Sequence, residues 1–153
     1  MEITISHDVQ TNLRIQLNAF SEYKNAQIPS SALDETVEQI ELELINGASI
    51  LIATNNKQPI ATARFQLKES ALYFYRLSVL PEQQGKGVAK QLIVFLENYA
   101  KEQNLTEVQC KVRYNVPRNL HLYESLGFAI IDTYDVVKPD GATIKTVTMS
   151  KII

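Results

Sequence analysis

The hydrophobic positions of this chain follow two periods in turn. Ile3 and Ile5 alternate with polar neighbours, which predicts a short first strand. Val9, Leu13, Leu17 and Phe20 then recur at spacings of three and four, the period of one helical face. Pro29 and Ser30–Ser31 break that pattern. Leu33, Val37, Ile40 and Leu44 mark a second helix, and Gly47 stands where a helix closes. Ser49–Thr54 is apolar and β-branched, and Asn55-Asn56-Lys57 is turn chemistry. Ala61, Ala63, Phe65 and Leu67 alternate with Thr62, Arg64 and Gln66, so this strand is expected to bury one face. Lys68-Glu69-Ser70 turns the chain into an aromatic-rich strand, Leu72–Val79, which Pro81 stops.

After Pro81 the period changes. Val88, Leu92, Phe95, Leu96 and Tyr99 lie on one helical stripe, predicting a helix from near Gly85 to about Glu102. Val108, Cys110 and Val112 alternate in a strand. Pro117 can open a short helix, where its missing N–H costs nothing, with Leu120, Tyr123 and Leu126 inward and Gly127 at its end. Two strands, about Phe128–Val137 and Ala142–Ser150, flank the hairpin turn Lys138-Pro139-Asp140-Gly141. The order β-α-α-β-β-β-α-β-α-β-β mixes hairpins with crossovers. It predicts an α/β (α+β) fold with a mixed sheet of seven strands and helices on both faces.

Composition narrows this picture without naming a function. At 153 residues, with 45% hydrophobic and 21% charged residues and only five Gly and five Pro, residues 1–153 are expected to form a single domain with no linker. No apolar run approaches a membrane span, and MEITISHD does not look like a signal peptide. A lone cysteine, Cys110, suits a reducing, cytoplasmic setting. The net charge of −2 gives no basic excess for nucleic acid. Two histidines and one cysteine at unrelated spacings suggest no metal site.

The chemistry-bearing stretch is Arg76-Leu77-Ser78-Val79-Leu80-Pro81-Glu82-Gln83-Gln84-Gly85-Lys86-Gly87-Val88-Ala89. It reads as a strand, a tight two-glycine loop and an amphipathic helix. A helix N-terminus offers free amides and partial positive charge, and glycines let a phosphate approach the backbone. Lys86 and Lys90 add charge. Neither familiar phosphate loop fits. Lys86 is followed by Gly rather than Ser or Thr, and Lys90 stands where a dinucleotide fingerprint needs its third glycine.

What fits is Gln84-x-x-Gly87-x-Ala89 after a strand ending Leu77-x-Val79-x-Pro81. This resembles the acyl-CoA signature of the GNAT superfamily of acyl-CoA-dependent N-acyltransferases. Downstream, Pro117-x-Asn119-x-x-x-Tyr123-x-x-x-Gly127-Phe128 resembles the late segment of the same family. The order of elements matches it along nearly the whole chain.

The resemblance implies a mostly antiparallel sheet with a splayed central cleft. The strand ending at Val79 would diverge from the strand starting near Glu107. It also implies acetyl-CoA as co-substrate and no metal. The diphosphate would sit on the amides from Gly85 through Lys86, Gly87, Val88 and Ala89 to Lys90, beside Gln84. The pantetheine arm would pair with Leu77, Ser78 and Val79, and the Val79 amide would face the developing oxyanion. Tyr123 would protonate the CoA thiolate, with Asn119 holding the cofactor or Tyr123. Tyr123 also lies on an apolar stripe, so packing alone would explain it.

The general base does not carry over, because Leu72–Arg76 has no carboxylate. Glu69, Glu22, a water chain or an already neutral amine remain open. The implied activity is N-acetyl transfer to a primary amine, on a small molecule or a peptide. The alternative is a non-catalytic acyl-CoA sensor, which the missing carboxylate would suit. Homodimers are common among relatives, and the final strands could supply such an interface.

The remaining residues carry less. Cys110 is expected to be a buried thiol and His121 to face solvent. Asp34, Glu35, Glu38, Glu41 and Glu43 are expected to form a solvated acidic face; a cationic acceptor such as a polyamine is conceivable beside it. Tyr73 and Tyr75 should share one face of their strand, as sheet packing or as lining of an acceptor pocket.

Overall fold

A computed structural model describes residues 1–21 and 31–153. The expected break at Pro29 and Ser30 lies outside the described residues. The strands are β1 (Glu2–Ser6), β2 (Ser49–Asn55), β3 (Gln58–Lys68), β4 (Ala71–Val79), β5 (Glu107–Arg113), β6 (Ala129–Val137) and β7 (Thr143–Ile152). The helices are α1 (Val9–Phe20), α2 (Val37–Ile45), α3 (Val88–Glu102) and α4 (Pro117–Ser125). One seven-stranded sheet runs β1-β2-β3-β4-β5-β7-β6, antiparallel throughout except between β4 and β5.

Local chemistry sets the helix boundaries. Asp8 caps α1 by accepting the Thr11 amide at 3.0 Å. At α2, Thr36 and Gln39 exchange side-chain-to-backbone bonds in a capping box. That cap moves the helix start from Leu33 to Val37, and Leu33 falls in a short 3-10 turn, Ser31–Asp34. Gly47, at φ +104°, closes α2 while the Ala48 amide returns to the Glu43 carbonyl at 3.0 Å. Gly127 does the same for α4, with the Phe128 amide on the Tyr123 carbonyl at 3.0 Å.

The sheet separates two apolar layers. Leu51 and Ala53 of β2 face the main core, with Phe65, Phe74, Val108, Val147, Met149 and the inner stripe of α3. Ile50 and Ile52, on the opposite face, pack against Val9 of α1 and Ile40 of α2. The alternation of β3 is corrected on two points, the first being Leu67, expected on the buried face but exposed. Thr62 and Arg64, on its polar face, are as inaccessible as Ala61 and Ala63, because α1 and α2 cover that side too.

β4 has an irregularity that positions the site. Thr62 pairs with Ser78 and Arg64 with Tyr75, so Ala63 alone faces Arg76 and Leu77. This is a β-bulge, with Arg76 at φ +54°. β4 and β5 pair only at Ala71, Leu72 and Tyr73 against Glu107, Val108 and Gln109. Beyond Tyr73 they separate, so the expected splay is present.

Candidate active site

Two cavities meet where β4 and β5 part. The smaller, about 280 Å³, is bounded by Leu77, Ser78 and Val79 of β4 and by the loop and first turn of α3. Gln84, Gly85, Gly87, Val88, Ala89 and Lys90 line it from that side, and Asn119 and Tyr123 line it from α4. Lys86 is not on its wall; that side chain is exposed on the loop.

The loop departs from the expected helix. Gly85 at φ +77° and Gly87 at φ +79° hold a conformation that side-chain-bearing residues resist, so α3 begins at Val88. Among the described residues no side chain caps that first turn. A Cβ built on either glycine would meet nothing within 4 Å. The loop therefore presents uncapped amides to open space, a cradle with the shape and charge for a diphosphate.

Main-chain register supplies a second set of polar groups. The Leu80 amide donates to the Ile60 carbonyl at 3.0 Å, which makes Leu80 and Ile60 a hydrogen-bonded pair. Pairs alternate along an antiparallel ladder, so Val79, opposite Ala61, turns its own N–H and C=O away from β3 toward the cleft. The Gln84 side-chain Nε2 donates to that Val79 carbonyl at 3.2 Å and ties the loop to the strand end. The Ser78 hydroxyl donates to the Arg76 carbonyl at 2.9 Å, bracing the bulge.

Tyr123 and Asn119 of α4, with Phe20 and Leu77, line both cavities. Tyr123 is 7% exposed. Its ring stands edge-on to Phe74 at 5.8 Å and tilted to Phe128 at 6.0 Å, so packing fixes where its hydroxyl points.

The larger cavity, about 540 Å³, holds residues whose place no local pattern signals. Glu35 and Glu43 line it, which corrects the expectation of one solvated acidic face. Asp34, Glu38 and Glu41 are exposed as expected. Inaccessible Arg64 reaches from β3 to Glu35 at 2.6 Å and Glu43 at 3.1 Å, and to the side-chain oxygens of Asn12 at 2.9 Å and Gln16 at 2.7 Å. Arg76, turned by the bulge, donates to the other Glu35 oxygen at 2.9 Å. Burial alone would raise the Glu35 carboxyl. The Arg76 charge, the Gln16 hydrogen bond and Arg64 outweigh it and hold the group below the ordinary carboxylate range.

Tyr75 donates its hydroxyl to Glu43 Oε1 at 2.5 Å, and Glu43 Oε2 has no hydrogen bond to any described residue. Burial and then Glu43 push the Tyr75 phenol up. Tyr73 stacks on Tyr75 at 5.5 Å, so the two share a face as expected. Burial, with Tyr134 and Cys110 nearby, pushes the Tyr73 phenol up to about 12. Cys110 is buried with its thiol pushed up to about 12 by burial, and His121 is exposed. Of the carboxylates considered from sequence, Glu69 lies on the exposed β3–β4 turn and lines neither cavity, and Glu22 lies outside the described residues. Among the described residues no group of three or more metal-ligating side chains forms, and no helix is long and apolar enough to cross a membrane.

A glycine loop before a helix, beside a strand edge left open by a splayed sheet, defines an acyl-carrier cleft in a transferase fold. Residues 16–128 match the model of the acetyltransferase (GNAT) family, and the chain belongs to that family. It is an acetyl-CoA-dependent acyltransferase.

Solved structures agree on the fold. The ribosomal-protein-S18-alanine N-acetyltransferase of Escherichia coli superposes with a TM-score of 0.78 at 20% identity, over 99% of this chain and 94% of that one. The ribosomal-protein-alanine N-acetyltransferase of Brucella melitensis gives 0.79 at 19% identity, over 100% of both chains. The PaiA N-acetyltransferase of Thermoplasma acidophilum, solved with coenzyme A, gives 0.77 at 15% identity, also over 100% of both.

Proposed function

We propose that this chain is a single-domain N-acetyltransferase that moves the acetyl group of acetyl-CoA to a primary amine by direct attack. The observation that carries this reading is the junction of the two cavities at Tyr123, Asn119, Phe20 and Leu77. One cavity offers main-chain donors to a diphosphate. The other offers a carboxylate to an amine.

Acetyl-CoA supplies the activated acyl carbon as a thioester. The amides from Gly85 to Lys90 hold the diphosphate, with Gln84 bracing the loop and Lys86 and Lys90 adding positive charge nearby. The open edge of β4 from Leu77 to Val79 accepts the pantetheine arm as an added strand. Glu43 Oε2 accepts a proton from the incoming ammonium, whose pKa in water is about 10. It thereby takes the role for which β4 has no carboxylate. The amine nitrogen forms its bond to the acyl carbon, and the carbon–sulfur bond breaks. The Val79 N–H faces the carbonyl oxygen as negative charge develops there. Tyr123 gives its proton to the departing sulfur, with Asn119 orienting that exchange, and the second proton, shed by the nitrogen as the amide forms, returns to the Tyr123 oxygen.

The same reading places the protein in the cytoplasm, where buried Cys110 stays reduced. It also allows pairing of two copies along the exposed edge of β6, where Ile130, Ile131, Val136 and Val137 are open to solvent.

Thiol release from acetyl-CoA, followed over a panel of primary amines, tests the activity. Turnover with at least one amine is expected. Tight coenzyme A binding with no release above hydrolysis for any amine would make the chain an acyl-CoA sensor instead.

A further inference from the structure

On the acetyltransferase reading, the larger cavity receives the amine, and its charges say more about that amine. Two carboxylates, Glu35 and Glu43, face two guanidiniums, Arg64 and Arg76, at 2.6 to 3.1 Å. That end of the cavity is already neutralised. The acidic residues around α2 therefore give no reason to expect a polycationic acceptor.

The opposite wall is different. Lys111 projects from β5 into the same cavity. Its ammonium stands 5.7 Å from the Tyr73 ring centre and 5.8 Å from that of Tyr134. Among the described residues no carboxylate pairs with it. Ring faces position a cation without cancelling its charge. Tyr73 and Tyr75 stack at 5.5 Å, so one aromatic wall joins Lys111 at one end to Glu43, through the Tyr75 hydroxyl, at the other. Among the described residues, the cavity thus has a hydrogen-bond acceptor for an amine at one end and a cation with no carboxylate partner at the other.

We propose that the acceptor is an amine that also carries an anionic group, a carboxylate or a phosphate, and that Lys111 binds that group. The amine end lies toward Glu43 Oε2. An acceptor of this kind neutralises the excess positive charge, whereas a polyamine would add to it.

The test compares four acceptors on the full chain with acetyl-CoA: butylamine, 4-aminobutanoate, 3-aminopropyl phosphate and spermidine. At low ionic strength, kcat/KM for the carboxylate or the phosphate should exceed that for butylamine by about tenfold, with spermidine lowest. Whichever anion gives the lower KM identifies the group. Lys111→Glu should raise KM for the anion-bearing amines by about tenfold or more with little change in kcat, and Lys111→Arg should keep the preference. A merely structural lysine would instead change kcat and melting temperature together. The inference falls if butylamine or spermidine is preferred. It falls equally if neither anion-bearing amine releases thiol faster than butylamine, or if Lys111→Glu leaves the ranking intact. Failure of the acetyltransferase reading itself looks different: none of the four amines, butylamine included, releases thiol above hydrolysis, whether or not coenzyme A gives binding heat in calorimetry.

Discussion

The smaller cavity draws most of its walls from two stretches close in sequence, Leu77–Val79 and Gln84–Lys90. The glycine loop and the end of β4 bring main-chain N–H and C=O groups to it. Beside the larger cavity, the carboxylates and guanidiniums come from α2, β3, β4 and the turn before α2, and they are side chains held by one another. The first needs a local conformation, which two glycines and a proline specify. The second needs long-range packing, because Arg64 meets Glu35, Glu43, Asn12 and Gln16 only once α1 and α2 lie on the sheet. A backbone site and a side-chain site should therefore fail in different ways.

The largest effect is expected at Arg64. Arg64→Leu leaves Glu35 and Glu43 without their buried partner and should cost about 3–5 kcal/mol in chemical denaturation. Coenzyme A affinity of the fraction that stays folded should hardly change. A comparable loss of affinity would mean that the two cavities are energetically one site.

Next is the junction. Tyr123→Phe keeps the ring packing on Phe74 and Phe128 and removes only the hydroxyl. Turnover should fall about a hundredfold, with coenzyme A affinity within about twofold. Wild-type turnover would reduce Tyr123 to a packing residue.

Gly87→Ala is milder. Its Cβ meets no protein atom, but the residue must keep φ +79°, which costs about 1–2 kcal/mol, and the added methyl enters the cradle. Acetyl-CoA affinity should drop about tenfold, while the acceptor KM stays near wild type. An unchanged affinity would remove the diphosphate from this loop.

The smallest effect is with pH. Glu35 has a folded pKa below its ordinary 4.5, so its contribution to stability is complete above that value. It is lost as pH falls through the lower folded value. Stability should be flat from neutrality to about pH 5 and decline below 4.5, and Glu35→Gln should flatten that acid limb. Coenzyme A binding should not follow this limb. If it does, the side-chain network supports the backbone site as well.

The aromatic wall offers a further contrast with the loop. Strand alternation placed Tyr73 and Tyr75 on one face, and both line the larger cavity. Alternation also placed Arg64 toward the polar side of β3, yet Arg64 is inaccessible, because the period of a strand says which face a residue takes and not what covers that face. Helical periodicity put Glu35 and Glu43 with Asp34, Glu38 and Glu41. It could not see that the capping box at Thr36 resets the helix start, nor that the bulge at Arg76 turns a guanidinium back to meet Glu35.

What the sequence determined by itself was everything that short-range sterics and hydrogen bonding control. That covers the seven strands, the four helices, the glycine-bounded turns and the loop from Gln84 to Lys90, since φ and local donors are properties of neighbouring residues. Only the tertiary structure decided which charges share a cavity, which of them pair, and that Lys111 has no carboxylate partner among the described residues. Those outcomes depend on burial and on partners far apart along the chain.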